Sequence, residues 1–101
     1  MAHPMTAATA ETLTGTRTFT AAETKQYAFW ALDPGGAGRS LVLPNAADAP
    51  GQMLFIANTA DAAEVITISA DSATVVTPTQ GETAIVWSTG TKWYGIAGAN
   101  S

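Results

Sequence analysis

Segments with the two-residue period of a β-strand follow one another along this chain, and turn-forming residues separate them. Thr occupies every second position of 12–20, and apolar residues alternate in most later segments. Gly, Pro, Asn and Asp return about every eight to twelve residues, which is typical of all-β sandwiches and small barrels. The predicted strands are 12–20, 25–32, 39–43, 52–58, 64–69, 73–77, 82–88 and 92–97. We therefore predict an all-β fold, a small antiparallel sandwich or barrel of seven to eight strands.

The start of the chain lacks this pattern. Residues 1–11 show no apolar period, and Pro4 prevents a helix from starting there. We predict a flexible, extended N-terminal arm over 1–11 and a single β-domain over 12–101. Two short stretches, 46–49 and 59–63, each have the composition of a single helical turn and are too short for a stable helix.

Alternation also predicts which side chains fill the core. They are Leu41, Leu43, Leu54, Ile56, Ile66, Ile68, Val86 and Ile96. Residues 85–96 are predicted to form a hairpin in which Gly90 takes a positive φ. Trp87 and Trp93 flank its turn, within reach of each other if the register allows. Asn58 is expected to hold the turn after its strand through side-chain to backbone bonds.

The charge content limits the partners. Four Lys and Arg against eight Asp and Glu give a net charge of −4, and only 12% of residues are charged. The usual share is about 25%. Scattered basic residues and an acidic balance argue against nucleic acid or a membrane surface as partner. So little charge leaves either an unusually bland surface or a set of interfaces buried in an assembly.

The sequence shows neither cysteine nor the pattern of a targeting segment. It holds no Cys, which excludes a disulfide framework and a thiolate metal site. No apolar run is long enough for a transmembrane helix, and the N-terminus lacks the features of a signal peptide. We expect synthesis in a cytoplasm.

Few residues of this chain suit catalytic or metal-binding chemistry. His3 is the only His and lies in the predicted arm, so it is a poor base for a Ser-His-Asp triad. The Gly-rich segment 33–38 lacks the Lys and the following helix of a phosphate-binding loop. Four residues with oxygen ligands for Ca²⁺ are Asn58, Asp61, Glu64 and Asp71. Their spacing does not match a calcium-binding loop. From these three observations together, we expect no enzyme activity, no metal and no cofactor.

Aromatic side chains leave three interpretations open. In a small β-domain they belong to the core or to a subunit interface. The residues assigned to these two roles are Phe29, Trp30, Trp87, Trp93 and Tyr94. In the third interpretation Trp30, Trp87 or Trp93 lies in a shallow groove and stacks on sugar rings.

A set of motifs across residues 39–97 carries a resemblance to a known family. In chain order they are Arg39-Ser-Leu-Val-Leu-Pro44, Gly51-Gln-Met-Leu-Phe-Ile-Ala-Asn-Thr-Ala-Asp61, Glu64-Val-Ile-Thr-Ile68, Gly81-Glu82 and Ser88-Thr-Gly-Thr-Lys-Trp93. This order resembles small β-domains in the virion proteins of tailed phages. Such domains occur in head decoration (cement) proteins and at the ends of tail fibres. One domain with a short arm is more similar to a decoration protein, because a fibre carries a long shaft.

The resemblance implies a structural virion protein rather than an enzyme. It implies a homotrimer on the outside of the mature capsid, bound to the major capsid protein and bridging capsomers. We predict that the arm contacts the shell through Pro4, Met5, Thr6 and Thr9. Increased avidity of linked subunits favours such a design. The alternatives are a receptor- or carbohydrate-binding module of a phage tail fibre and a monomeric host-protein module.

Overall fold

The computed structural model describes residues 6–100, in which nine strands form two sheets. The strands are β1 (Glu11–Thr12), β2 (Arg17–Thr18), β3 (Phe29–Asp33), β4 (Arg39–Val42), β5 (Met53–Asn58), β6 (Ile66–Ala70), β7 (Ala73–Val76), β8 (Glu82–Ser88) and β9 (Trp93–Ala99). One short α-helix, α1 (Ala21–Gln26), and a 3-10 helix (Ala46–Asp48) complete the described elements. The strand-rich fold predicted from the sequence is confirmed, with 45% strand and 9% helix.

The two sheets have mixed strand directions. The five-stranded sheet has the order β1-β3-β5-β8-β9, and the four-stranded sheet has the order β2-β4-β6-β7. Pairs β1–β3, β3–β5, β2–β4 and β4–β6 are parallel, and the remaining pairs are antiparallel. The prediction of an antiparallel fold is therefore wrong. The first six strands alternate between the two sheets. From β3 to β6, each strand therefore lies parallel to the strand two positions before it in the sequence.

Side chains from both sheets share one hydrophobic core. Seven of the eight predicted core residues are buried, and Ile96 is the exception with 59% exposure. Ile96 points outward because Trp93 and Gly95 hold the inward positions of β9. At Gly95 a Cβ would lie 2.9 Å from a methyl carbon of Val86 and 3.0 Å from one of Val75, so this close approach requires glycine.

Residues 12–20 do not form the single strand predicted for them. They contribute to β1 and β2, which lie in different sheets. Leu13 donates its N–H to Asp33 O at 2.7 Å, and Phe19 donates its N–H to Val42 O at 2.8 Å. Both side chains are buried in the shared core. The chain crosses from one sheet to the other between them, which one continuous strand does not allow.

Residues 25–32, predicted as one strand, begin inside a helix: α1 ends at Gln26, and β3 begins at Phe29. Thr20 and Glu23 form a capping box at the start of α1: Thr20 Oγ1 accepts from Glu23 N at 3.1 Å, and Glu23 Oε1 accepts from Thr20 N at 2.9 Å. Thr and Glu three residues apart are the sequence signal for this motif. The predicted turn at 46–49 is present as the 3-10 helix. The one predicted at 59–63 has no helical residue.

Residues 6–11, predicted as part of a flexible arm, are attached to the five-stranded sheet. Ala8 donates its N–H to Phe29 O, and Ala28 donates its N–H to Thr6 O, both at 2.9 Å. Ala7 forms a parallel bridge with Phe29, and Glu11 belongs to β1. The free edge of β3 offers backbone groups that need partners, which explains the attachment. Pro4 and Met5 lie outside the described residues.

Within residues 6–100 no helix has both the length and the apolar character needed to cross a bilayer. The predicted hairpin over 85–96 is confirmed: β8 and β9 pair antiparallel, and Gly90 has a φ of 93° in the turn. Only glycine adopts such a φ readily.

Candidate functional site

The aromatic residues singled out in the sequence divide between the two faces of the five-stranded sheet. Trp30 and Trp93 are buried, at 5% and 2% exposure. Phe29, Trp87 and Tyr94 are exposed, at 38%, 37% and 44%. Successive side chains of a strand point to opposite faces, so neighbours in the sequence have opposite environments.

The expected contact between Trp87 and Trp93 is absent because of the hairpin register. Trp87 pairs with Tyr94, and Ser88 pairs with Trp93. The two tryptophans therefore lie on opposite faces of the sheet. Sequence spacing placed both beside the turn and left the register open.

The buried tryptophans have structural partners. Trp93 Nε1 donates to Pro44 O at 2.8 Å, and Trp30 Nε1 donates to Tyr27 O at 3.2 Å. Trp30 also stacks on Phe19 with 4.1 Å between ring centroids. Indole N–H groups in a core need such acceptors. Burial and these contacts leave neither ring free to stack on a sugar.

Exposed and partly exposed apolar side chains form two adjacent rows across the outward side of the five-stranded sheet. The cross-strand register aligns Phe29, Phe55, Ile85 and Ile96 in one row, and Met53, Trp87 and Tyr94 in the other. We call these seven residues the outer apolar face. Its aromatic rings contact in pairs: the Phe29 and Phe55 centroids are 5.0 Å apart, and those of Trp87 and Tyr94 are 6.0 Å apart.

The surroundings of the outer apolar face contain little charge. The next row in register consists of Ala31, Ala57, Thr83 and Gly98. These three rows hold no Asp, Glu, Lys or Arg. At the border, Lys92 Nζ lies 5.5 Å from the centre of the Tyr94 ring. The face is thus an uncharged surface that mixes aromatic and aliphatic groups.

The outward side of the four-stranded sheet is chemically different. Its cross-strand register aligns Thr18, Val42, Ser69 and Thr74 in one row, and Ser40 and Thr67 in the next. Hydroxyl groups therefore dominate this second outward side. Polar side chains facing outward are what the alternating pattern of a sheet with one face in solvent predicts.

Among residues 6–100, no strand pairs with the outer edge of β9, so we call this the free edge of the five-stranded sheet. Asn100 donates its N–H to Gly81 O at 2.9 Å, so alternate residues from Asn100 backward bond to β8. By the same alternation, Gly95, Ala97 and Ala99 direct their N–H and C=O groups to the free side. Ala97 is exposed although its partner Ala84 is buried. The end of β9 is therefore uncovered on both faces.

Charged groups cluster at the other end of the molecule, around Arg17. Its Nε lies 2.8 Å from Glu11 Oε2, and its Nη2 lies 2.8 Å from Glu23 Oε2. The guanidinium also lies over the Phe19 ring, 5.0 Å from its centroid. Side-chain hydrogen bonds from Arg17 and the backbone bond from Thr20 lower the pKa of Glu23 to about 2. These contacts join β1, β2 and α1, so their role is structural.

The four residues considered as calcium ligands do not come together as a set. Carboxylate oxygens of Asp61 and Glu64 lie with one of Asp33, all within 4.8 Å of one another. Asp71 is elsewhere and accepts from Ala46 N at 3.3 Å. The Asn58 amide donates to the backbone oxygens of Glu64 and Pro78, and its Oδ1 accepts from Ala60 N. Asn58 thus holds the turn, as predicted.

Acidic residues in turns often gather without a ligand, so the three carboxylates do not assign a metal site. His3, the only candidate base, lies outside the described residues. Comparison with protein-family models, with curated proteins and with solved structures finds no match to this chain. The outer apolar face and the free edge of β9 remain as the candidate functional site.

Proposed function

We propose that this chain is a non-catalytic structural virion protein. In this proposal it binds the outside of a tailed-phage capsid as a homotrimer and stabilises contacts between capsomers. The outer apolar face is the observation that carries the proposal. A sandwich arrangement of the two sheets, packed face to face over the shared core, belongs to the same proposal.

The size of the outer apolar face supports a role in assembly. With the neighbouring row of Ala31, Ala57, Thr83 and Gly98, the face spans four strands about 4.8 Å apart and about six residues of each strand at about 3.4 Å, which is roughly 400 Å² in all. Soluble monomers seldom expose larger apolar patches, and patches of this size are often functional. A chain with 12% charged residues has little else to keep such a face soluble.

The start of the chain supplies the proposed contact with the capsid shell. Thr6 and Thr9 are exposed beside the sheet, and Pro4 and Met5 precede them in the sequence. A trimer presents three copies of such a segment, so weak contacts act together through avidity. The segment borders the outer apolar face at Phe29, through the bridge of Ala7. In this proposal it contacts the shell at that border, and a sister subunit contacts the face from the β9 side.

Co-sedimentation tests the proposed function directly. The purified protein is mixed with capsids that were assembled from the major capsid protein of the same genome without this chain. We expect saturable binding in multiples of three, which a deletion of residues 2–5 weakens without unfolding the domain. Absence of binding by the folded, full-length protein would overturn the capsid role.

A sugar-binding tail-fibre module is the second candidate, favoured by one pair of residues. Trp87 and Tyr94 stack at 6.0 Å with 23° between their rings, and both remain over a third exposed. Exposed flat rings are suited to stacking on sugars. A glycan array tests this function: specific binding that Trp87→Ala abolishes would favour the fibre module over the capsid protein.

A further inference from the structure

We propose that the outer apolar face and the free edge of β9 form one contact surface, and that a second copy of this chain occupies it. The inference rests on the proposed homo-oligomer and names the surface that holds it together. Three properties of the described residues carry it: the area of the face, the placement of charge, and the contrast among the sheet edges.

The area of the face indicates that it works together with the edge. A standard protein interface buries about 800 Å² on each partner. The face and the neighbouring uncharged row together span roughly 400 Å² by their strand spacing, about half of that need. Strand β9 carries Tyr94 and Ile96 on this face and also provides the free edge. A partner that covers the face at β9 therefore meets the edge groups as well.

The placement of charge favours a second copy as the partner. Each chain carries a net charge of −4, so two copies repel each other wherever acidic groups meet. None of the eight acidic residues lies in the two rows of the outer apolar face. Glu82, at the start of β8, points away from that side and accepts from Thr79 N at 2.7 Å. Two copies therefore meet here without burying a carboxylate.

The sheet edges differ in how they are protected. Among the described residues, the edges formed by β1 and β2 have two residues each, and that formed by β7 has four. Strand β9 has seven residues, with no charged side chain and no Pro. Proteins normally protect long free edges with charge, Pro or a bulge, because such edges pair with other chains. An edge without these devices is consistent with a strand that is covered in the assembly.

Two variants of the full-length chain test the contact, one for the face and one for the edge. Ile96→Lys places a charge on the face, and Ala97→Pro removes an N–H from the free side without removing a bond to β8. Ser40→Lys, on the outward side of the four-stranded sheet, is the control for the first. Ala97→Ser, which keeps the N–H, is the control for the second.

Sedimentation equilibrium measures the mass of each variant, and near-ultraviolet circular dichroism confirms its fold. We expect the wild type and both controls to form the same oligomer, and both test variants to approach the monomer mass of 10.3 kDa. A buried charge or a lost edge bond should weaken self-association by about 10- to 100-fold. Folded test variants that retain the wild-type mass would overturn the inference.

The outcome for this contact is separable from the outcome for the proposed function. An oligomer that Ile96→Lys dissociates but that does not bind capsids supports the contact and overturns the capsid role. A wild-type protein that binds capsids but remains monomeric at about 100 μM overturns the contact and leaves the capsid role standing. A mass of two chains supports the contact and overturns the trimer.

Discussion

The two outward sides of this molecule have the same geometry and opposite chemistry. On the four-stranded sheet the side chains are mostly hydroxyls, such as Ser40, Thr67 and Ser69, whereas on the five-stranded sheet they are Phe, Trp, Tyr, Met and Ile. Solvent alone selects for the first kind of surface. The second surface has the opposite character, which supports the subunit contact proposed for it.

Within the five-stranded sheet, both faces are apolar. Its inward side contributes Leu54, Ile56 and Val86 to the core, each with 0% exposure. Such a sheet resembles one that is buried on both sides, as in larger assemblies. Residues 6–100 cover only its inward side, so substitutions on the two sides should differ in their effect on the stability of the fold.

The largest difference in stability is expected between substitutions of the two tryptophans in the β8–β9 hairpin. Trp93→Ala removes a buried ring and its bond to Pro44 and should lower the free energy of unfolding by about 3–5 kcal/mol. Trp87→Ala removes an exposed ring and should cost about 1 kcal/mol. Urea unfolding of each variant measures both effects at a concentration where the protein is monomeric. Equal losses would show that the inward and outward sides do not differ as described.

The attachment of the N-terminal segment to the edge of the five-stranded sheet gives the next contrast. A deletion of residues 2–11 removes the backbone bonds to Ala28 and Phe29 and the ion pair of Glu11 with Arg17. We expect a loss of about 3 kcal/mol, since each bond contributes about 1 kcal/mol. A deletion of residues 2–5 removes none of these contacts and serves as the control. Equal thermal stability of the two deletions would contradict the attachment of this segment.

Glycines at positions 95 and 98 compare the inward and the outward side of β9. A Cβ at Gly95 would meet side chains of Val86, Val75 and Val76 at 2.9 to 3.1 Å, whereas one at Gly98 would meet nothing within 4 Å. Gly95→Ala should cost about 2 kcal/mol through overpacking. Gly98→Ala should change stability by under about 0.5 kcal/mol. Chemical unfolding of the two variants compares them, and a neutral Gly95→Ala would refute the close packing.

The sequence predicted strands better than it predicted their partners. Periodicity is local, and it placed strands such as Glu82–Ser88 correctly. Sheet order depends on contacts between distant residues, so the parallel pairs were missed. The capping box of Thr20 and Glu23 is also a local signal, but the helix α1 was not predicted from the sequence.

For the candidate site, alternation located the aromatic residues and did not separate the two faces. In β9 one parity holds Trp93 and Gly95, and the other holds Tyr94 and Ile96. Alternation assigned Ile96 to the core, and the structure buries Trp93 instead, because both parities contain an aromatic residue and the pattern alone does not rank them. The close approach of Val75 and Val76 to Gly95 decides the question, and only the folded chain brings these residues together.

The smallest expected effect uses pH to compare a charged region with an uncharged one. Bonds from Arg17 and Thr20 lower the pKa of Glu23 to about 2 in the folded protein, against about 4.3 in an unfolded chain. A lowered carboxyl pKa stabilises the fold above the unfolded value, and this contribution disappears as the pH falls from about 4.3 toward 2. Because Glu23 is partly exposed, we expect about 1 kcal/mol at most.

The difference in stability between the wild type and Glu23→Gln isolates this contribution. It should be constant above about pH 5 and decline toward zero near pH 2, because protonation removes the charge that Gln lacks. The self-association of the wild type should not follow that decline, since the outer apolar face holds no carboxyl side chain. Thermal unfolding measured alongside sedimentation over this pH range checks both statements. A loss of the oligomer that tracks Glu23 would place the subunit contact at the Arg17 cluster instead of at β9.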